Sequence, residues 1–205
     1  MNLLIPTKGY IASPVMVYIN GLVFLILVAI NMSFTQFSNQ SIFLLGANLS
    51  NAIDQGQWWR FVSSMFLHLS VLHLLFNCAF LLFLGRFLEP MLGTGLYIVL
   101  YFATGIAGSL ASYLFNKDVF SAGASGAIFG LVGIFIAILL SNIIQKQQRD
   151  ELLKTFAGII GLNLALGLVL NVDNAAHIGG LASGIVLGFL CVPMIKQRIT
   201  KTTRR

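Results

Sequence analysis

The sequence predicts an all-α polytopic membrane protein, a bundle of six transmembrane helices with both termini cytoplasmic. Three observations carry this. Only 9% of the 205 residues are charged and 58% are hydrophobic, with mean hydropathy +0.91; a soluble domain carries roughly 25% charged residues. Six apolar runs approach the ~20 residues that cross a bilayer. The basic residues gather in alternate loops, as they do on the cytoplasmic side of membrane proteins. Residues 1–205 therefore read as a single membrane domain.

The first helix is expected at about 14–32. Its apolar run, Val15 to Met32, is long enough to span, and no small-residue cleavage site follows, so it is expected to be retained. Residues 33–66 form a long first loop with Trp58, Trp59 and Arg60 near its end. Connections of this length usually carry structure or function, and aromatic and Arg side chains favour the headgroup boundary. A partly helical, membrane-associated insertion is expected. Further helices are expected at about 67–87, 95–115, 123–142, 154–170 and 176–195, followed by a basic cytoplasmic tail, 196–205.

With both termini cytoplasmic, that side holds Lys8, Arg86, Lys146, Arg149, Lys154, Lys196, Arg198, Lys201, Arg204 and Arg205. Only Arg60 and Lys117 fall opposite. The net charge of +6 is thereby accounted for by topology and by anchoring at anionic headgroups, without nucleic acid. Cys78 and Cys191 lie far apart in two expected spans and read as apolar packing residues. No spacing suggests a metal or other cofactor.

Polar and ionisable groups are costly in lipid, so those inside spans are functional candidates. Ser125 lies in Gly123-Ala124-Ser125-Gly126 at the start of helix four, and His177 opens helix six. A hydroxyl and an imidazole at one depth suggest a nucleophile and its base. The glycines allow close backbone approach, and a helix N-terminus offers unpaired N–H groups to a developing oxyanion. His177, Gly180, Gly184 and Gly188 share one helical face. Ser125, Phe129, Val132 and Ile136 share a face of helix four, flanked by glycines. Two such faces can pack tightly enough to bring Ser125 to His177. On helix two, His73 and Asn77 are four residues apart and face together; both can donate to an oxyanion, or serve only as an interhelical polar clamp. His68 lies off that face and reads as structural. The carboxylates, Asp54, Glu89, Asp118, Asp150, Glu151 and Asp173, all fall in loops or at helix ends, with Asp173 expected at the membrane surface. A Ser–His dyad is the simpler expectation. In this topology helices two, four and six all begin on the extracytoplasmic side, so every candidate falls in the outer half of the membrane.

Trp59-Arg60, His73-xxx-Asn77, Gly123-x-Ser125-Gly126 and Ala176-His177-xx-Gly180-xxx-Gly184 together resemble the rhomboid family of intramembrane serine proteases, over residues 14–195. The resemblance implies Ser125 as nucleophile, His177 as general base, and an oxyanion site from the Ser125 N–H, His73 and Asn77. It implies that Gly123 shapes the turn beside the nucleophile, that Trp59-Arg60 belongs to a membrane-embedded first loop, and that Glu89 stabilises the turn after helix two. Many members carry Tyr where this chain has Phe129; the ring is expected to stack on His177 without contributing a hydroxyl. The implied substrates are transmembrane proteins, cleaved in or near their spans within the bilayer, and the implied location is a bacterial plasma membrane. Two other classes stay open: a catalytically silent rhomboid-like protein that binds membrane clients, and a small-solute transporter. The chain shows no inverted repeat of broken helices to support the last.

Overall fold

A computed structural model describes residues 3–117, 119–141, 143–169 and 172–203. Asp118, Arg204 and Arg205, which enter the loop and tail assignments, lie outside these residues. In chain order the helices are α1 (Ala12–Asn31), α2 (Asn39–Leu44), α3 (Ser50–Asp54), α4 (Arg60–Ser63), a 3₁₀ turn (Ser64–Phe66), α5 (Val71–Leu92), α6 (Thr94–Phe115), α7 (Ser125–Leu140), α8 (Lys146–Val169) and α9 (Asn174–Thr203). The described residues form no strand beyond two isolated bridges, Thr7 with Tyr10 and Asn48 with Ser121.

Four of these helices, α1, α5, α6 and α9, are long and apolar enough to cross a membrane, and α7 is apolar but shorter. Leu72, Phe76, Val99, Leu162, Val186 and Leu190 are all more than half exposed. Apolar exposure on this scale is untenable in water and natural in lipid. This is a multi-pass membrane protein. Helix α7 is buried over almost its whole length, which suits a helix hydrophobic all round. It packs chiefly against α9 and α6, while α1 packs on α5.

The glycines decide how closely α7 and α9 approach. A Cβ on Gly180 would lie 2.0 Å from the Gly126 carbonyl oxygen, and one on Gly184 would lie 2.0 Å from that of Gly130. The two pairs have the same sequence spacing, so the helices run parallel and in register. Backbone touches backbone here, as small residues permit between helices in lipid.

Several boundaries differ from the apolar runs. Helix α5 starts at Val71, not 67, because the Ser70 hydroxyl accepts the His73 N–H (3.2 Å) and caps the helix. Helix α8 starts at Lys146, ahead of the expected 154, since its polar opening is built from good helix formers such as Lys, Gln, Arg and Glu. Helix α9 continues to Thr203, so most of the expected tail is helical. Arg198 on that extension donates to the Leu92 carbonyl at the end of α5.

Arg60, expected near the headgroup boundary from its residue type, is turned into the protein. It is 1% exposed. Its Nη1 donates to the carbonyls of Phe43 (2.8 Å) and Ala47 (2.9 Å), and its Nε to Gln57 (2.8 Å). The guanidinium also lies over the Phe43 and Trp59 rings. This one cation ties the α2–α3 segment of the first loop to α4.

Glu89 does more than hold the turn after α5. Its carboxylate accepts Thr94 Oγ1 across that turn (2.8 Å), the N–H groups of Ile11 (2.6 Å), Ala12 (2.8 Å) and Ser13 (3.2 Å), and the Ser13 hydroxyl (3.1 Å). The first N–H groups of a helix lack internal partners. No residue of α1 supplies a cap, so a side chain from α5 does. Glu89→Ala is expected to lower stability in detergent by about 2–4 kcal/mol, since it strands several buried donors at once. A thermal unfolding midpoint equal to wild type would show that α1 does not depend on this cap.

Candidate active site

Ser125 is the first residue of α7 and is half-buried. The turn before it is built on glycine: Gly123 has φ +131°, a region L side chains rarely adopt, and its N–H donates to the Ser64 carbonyl (2.9 Å). The N–H groups of Ser125, Gly126 and Ala127 are in the first turn and have no helical carbonyl to reach. His177 lies in the first turn of α9 and is 2% exposed. Its Nε2 is 2.8 Å from Ser125 Oγ. For the hydroxyl to donate, Nε2 must be unprotonated, which puts the ring proton on Nδ1. The Phe129 ring lies flat against the imidazole, with centroids 4.3 Å apart and planes 4° from parallel. A helical turn separates Ser125 from Phe129, so one face of α7 supplies both partners of the ring.

His73 lies on the other side of the turn. A Cβ on Gly123 would come within 2.7 Å of His73 Cε1 and Nε2, and would be 3.6 Å from Ser125 Oγ. The imidazole thus occupies the room that any side chain at 123 would need, close to the hydroxyl. Asn77, one turn further along α5, is 6% exposed and donates one amide hydrogen to the His73 carbonyl (2.8 Å). Its second amide hydrogen remains for another acceptor. Ser125, His177, Phe129, Gly123 and His73 therefore converge, and Asn77 is tied to them through the backbone of His73.

Two residues set aside in the sequence prove to belong to this surrounding. His68 is fully buried on the non-helical segment before α5. Its Nδ1 is 3.2 Å from the Phe66 carbonyl, which can only accept, so Nδ1 carries the proton. Its Nε2 accepts the Ala124 N–H (3.5 Å), one residue before Ser125. Burial holds the His68 ring down at about 3, and neighbouring His73 acts in the same direction, so the ring stays neutral. Asp173 is part-buried and engaged at the start of α9. It caps α9 by accepting the Ala176 N–H (3.0 Å) and takes the Asn116 amide from the end of α6 (2.5 Å), while its second oxygen is buried. An Asp three residues before the first buried position of a helix is a cap signal that the sequence does carry. No periodicity announces His68, whose partner is 56 residues away in sequence.

Fold and site together define a polytopic helical membrane protein with a hydroxyl–imidazole pair inside its bundle. Residues 55–194 match the Rhomboid domain. The chain is 40% identical over 148 residues to rhomboid protease GluP of Bacillus subtilis, covering 72% of this chain and 29% of that protein. It is 41% identical over 143 residues to RHOMBOID-like protein 1 of Arabidopsis thaliana, covering 70% of this chain and 37% of that one. It is 34% identical over 155 residues to YdcA of Bacillus subtilis, covering 75% and 76%. The chain belongs to the rhomboid family. It spans well under half the length of the first two relatives, and about three quarters of the third.

The neutral, buried His68 gives the site a pH dependence. Its folded value lies below the 6.5 of an exposed imidazole, so the unfolded chain binds the extra proton and stability falls as pH drops from 6.5 towards 3. His68→Gln lacks this titration. The stability advantage of wild type over that variant is expected to shrink steadily across this window in detergent melts. A gap that is constant with pH would contradict the neutral, bonded ring.

Proposed function

We propose that this chain is an intramembrane serine endopeptidase that hydrolyses peptide bonds in or near transmembrane segments of other membrane proteins, acting through a Ser125–His177 dyad. The observation that carries this reading is the 2.8 Å approach of His177 Nε2 to Ser125 Oγ inside the bundle. The family relationship, and the naming of GluP as a rhomboid protease, support it.

In this reading Ser125 Oγ attacks the scissile carbonyl carbon while its proton passes to His177 Nε2. The carbonyl oxygen becomes an oxyanion and accepts from the Ser125 N–H, the His73 ring and the free amide hydrogen of Asn77. Preorganised donors of this kind, shielded from water, give the largest share of rate in acyl transfer. The tetrahedral intermediate collapses, the C–N bond breaks, and the imidazolium gives its proton to the leaving amine. Water then repeats the sequence on the acyl ester and restores Ser125. Gly123 leaves room for the His73 ring, and Phe129 holds the imidazole plane without contributing a hydroxyl.

The full topology belongs to the same proposal: six spans, α1 and α5–α9, with both termini cytoplasmic and the dyad in the extracytoplasmic half of the cell membrane, in the bacterial manner. Ten of the 12 basic residues fall on the cytoplasmic side in that arrangement. The length of α7 supports the depth. Its 16 residues span ~24 Å against a hydrocarbon core of ~30 Å, which leaves room for its Ser125 end to start beneath one surface. Loop-side polar groups at that end then give water a short path to a site that lipid otherwise keeps dry.

Ser125→Ala and His177→Ala are each expected to lower cleavage of a single-pass model substrate by at least about 10³-fold while the proteins remain folded. Reconstituted wild type that binds the substrate without cutting it would favour the client-binding alternative. Asn77→Ala is expected to reduce turnover roughly 10²-fold with little change in thermal stability. Unaltered turnover would remove Asn77 from the oxyanion site.

A further inference from the structure

A carboxylate lies one helical turn before His177. Asp173 and His177 are four residues apart across the first turn of α9, and the His177 N–H donates to the Asp173 carbonyl (3.2 Å). Residues at this spacing face together, and long side chains in helices lean back towards the N-terminus. One oxygen of the Asp173 carboxylate, Oδ1, is fully engaged. It accepts the Ala176 N–H (3.0 Å) and the Asn116 Nδ2 (2.5 Å). These two bonds fix the rotation of the group and leave Oδ2 as the oxygen without a task. Oδ2 is buried and takes no hydrogen bond among the described residues, and the same is true of His177 Nδ1. Two buried polar atoms of opposite preference, an acceptor and a donor, are thus left over within one helical turn. The carboxylate is within electrostatic range of the ring, and His73 is the other titratable group in range.

We infer that Asp173 is a positioning residue for His177, whose free Oδ2 keeps the ring proton on Nδ1 and offsets the positive charge that the ring gains when Ser125 attacks. The inference rests on the dyad reading and adds to it. The two groups act across a gap wider than a hydrogen bond. In a buried setting that gap is weakly screened, so the charge still orients the imidazole and stabilises the imidazolium. The proton on Nδ1 does not move at any step. Only the Ser125 proton travels, to Nε2 and then to the leaving amine. Asn116, which follows α6, joins this arrangement to that helix, since its amide also holds the carboxylate.

Asp173→Asn separates this role from capping. Asn caps a helix as well as Asp does, so the fold is retained. Its carbonyl oxygen takes over the bonds to Ala176 and Asn116, which turns the NH₂ group towards His177. That group can only donate, so it favours an unprotonated Nδ1 and puts the ring proton on Nε2, where it blocks acceptance from Ser125. Loss of the acid in a directly bonded triad costs about 10⁴ in kcat through the same tautomer. Across the wider gap here, kcat is expected to fall about 10²-fold with KM within about twofold of wild type. The chain has three histidines, so ¹⁵N-histidine labelling resolves each ring. The His177 signals of the resting protein are expected to change from the Nδ1–H to the Nε2–H pattern in Asp173→Asn, with His68 and His73 unchanged. Wild-type kcat and an unchanged His177 pattern in this variant would overturn the proposal. So would a fall in kcat that comes with lost thermal stability and no change of tautomer, which is the mark of a cap alone. A serine-reactive fluorophosphonate run on wild type keeps the two readings apart. Absence of labelling at Ser125 in wild type defeats the dyad itself, whereas a labelled wild type with an indifferent Asp173→Asn defeats only the role of Asp173.

Discussion

Everything at the site follows from backbone meeting backbone along α7 and α9. The Gly126 and Gly130 carbonyls stand where side chains at 180 and 184 would otherwise be. Lipid gives no hydrophobic drive for helices to associate, so close contact of small residues carries the packing. The contact also sets register. Two parallel helices locked at successive glycine pairs have no freedom to slide, and the hydroxyl at the start of one meets the imidazole near the start of the other. The same faces supply the Phe129 ring that lies flat on His177.

The second constraint is that buried polar groups must find partners where no water competes. The chain meets it with a few side chains that each collect more than one polar group. Glu89 takes the opening N–H groups of α1, Arg60 takes the carbonyls of the first loop, and Asp173 takes an N–H of α9 and the amide of Asn116. Each ties together segments remote in sequence. His68 does the same beside Ser125, bridging the Phe66 carbonyl and the Ala124 N–H. The groups nearest Ser125 and His177 thus hold the bundle together as well as surrounding the pair, and a substitution in them has to be read for stability first.

How much of this the sequence discloses depends on whether the interaction is local. Apolar runs disclose the helices, because lipid exposure selects length and composition. The convergence of Ser125, Phe129 and His177 is legible because glycines and candidate groups recur with the helical period. The start of α5 is not legible from hydropathy, since Leu67 and Leu69 continue the apolar run and only the Ser70 cap ends it. His68 is hidden for the same reason: off the helix, its position obeys no period. Residue type does not disclose the partners of Arg60 and Asp173, which the folded loop and the end of α6 bring to them. The partners of Glu89 at the start of α1 lie 76 to 78 residues away in sequence, beyond any local pattern.

The claim that glycine contact places the hydroxyl on the imidazole can be tested by enlarging one glycine at the contact and one away from it. A Cβ on Gly180 meets the Gly126 backbone, whereas one on Gly161 of α8 meets nothing within 4 Å. The measurement is the rate at which a fluorophosphonate labels Ser125 in Gly180→Val and Gly161→Val, with helical content followed by circular dichroism. The account predicts that labelling is lost in Gly180→Val and kept in Gly161→Val, both proteins remaining helical. Labelling of Gly180→Val at the wild-type rate would contradict it.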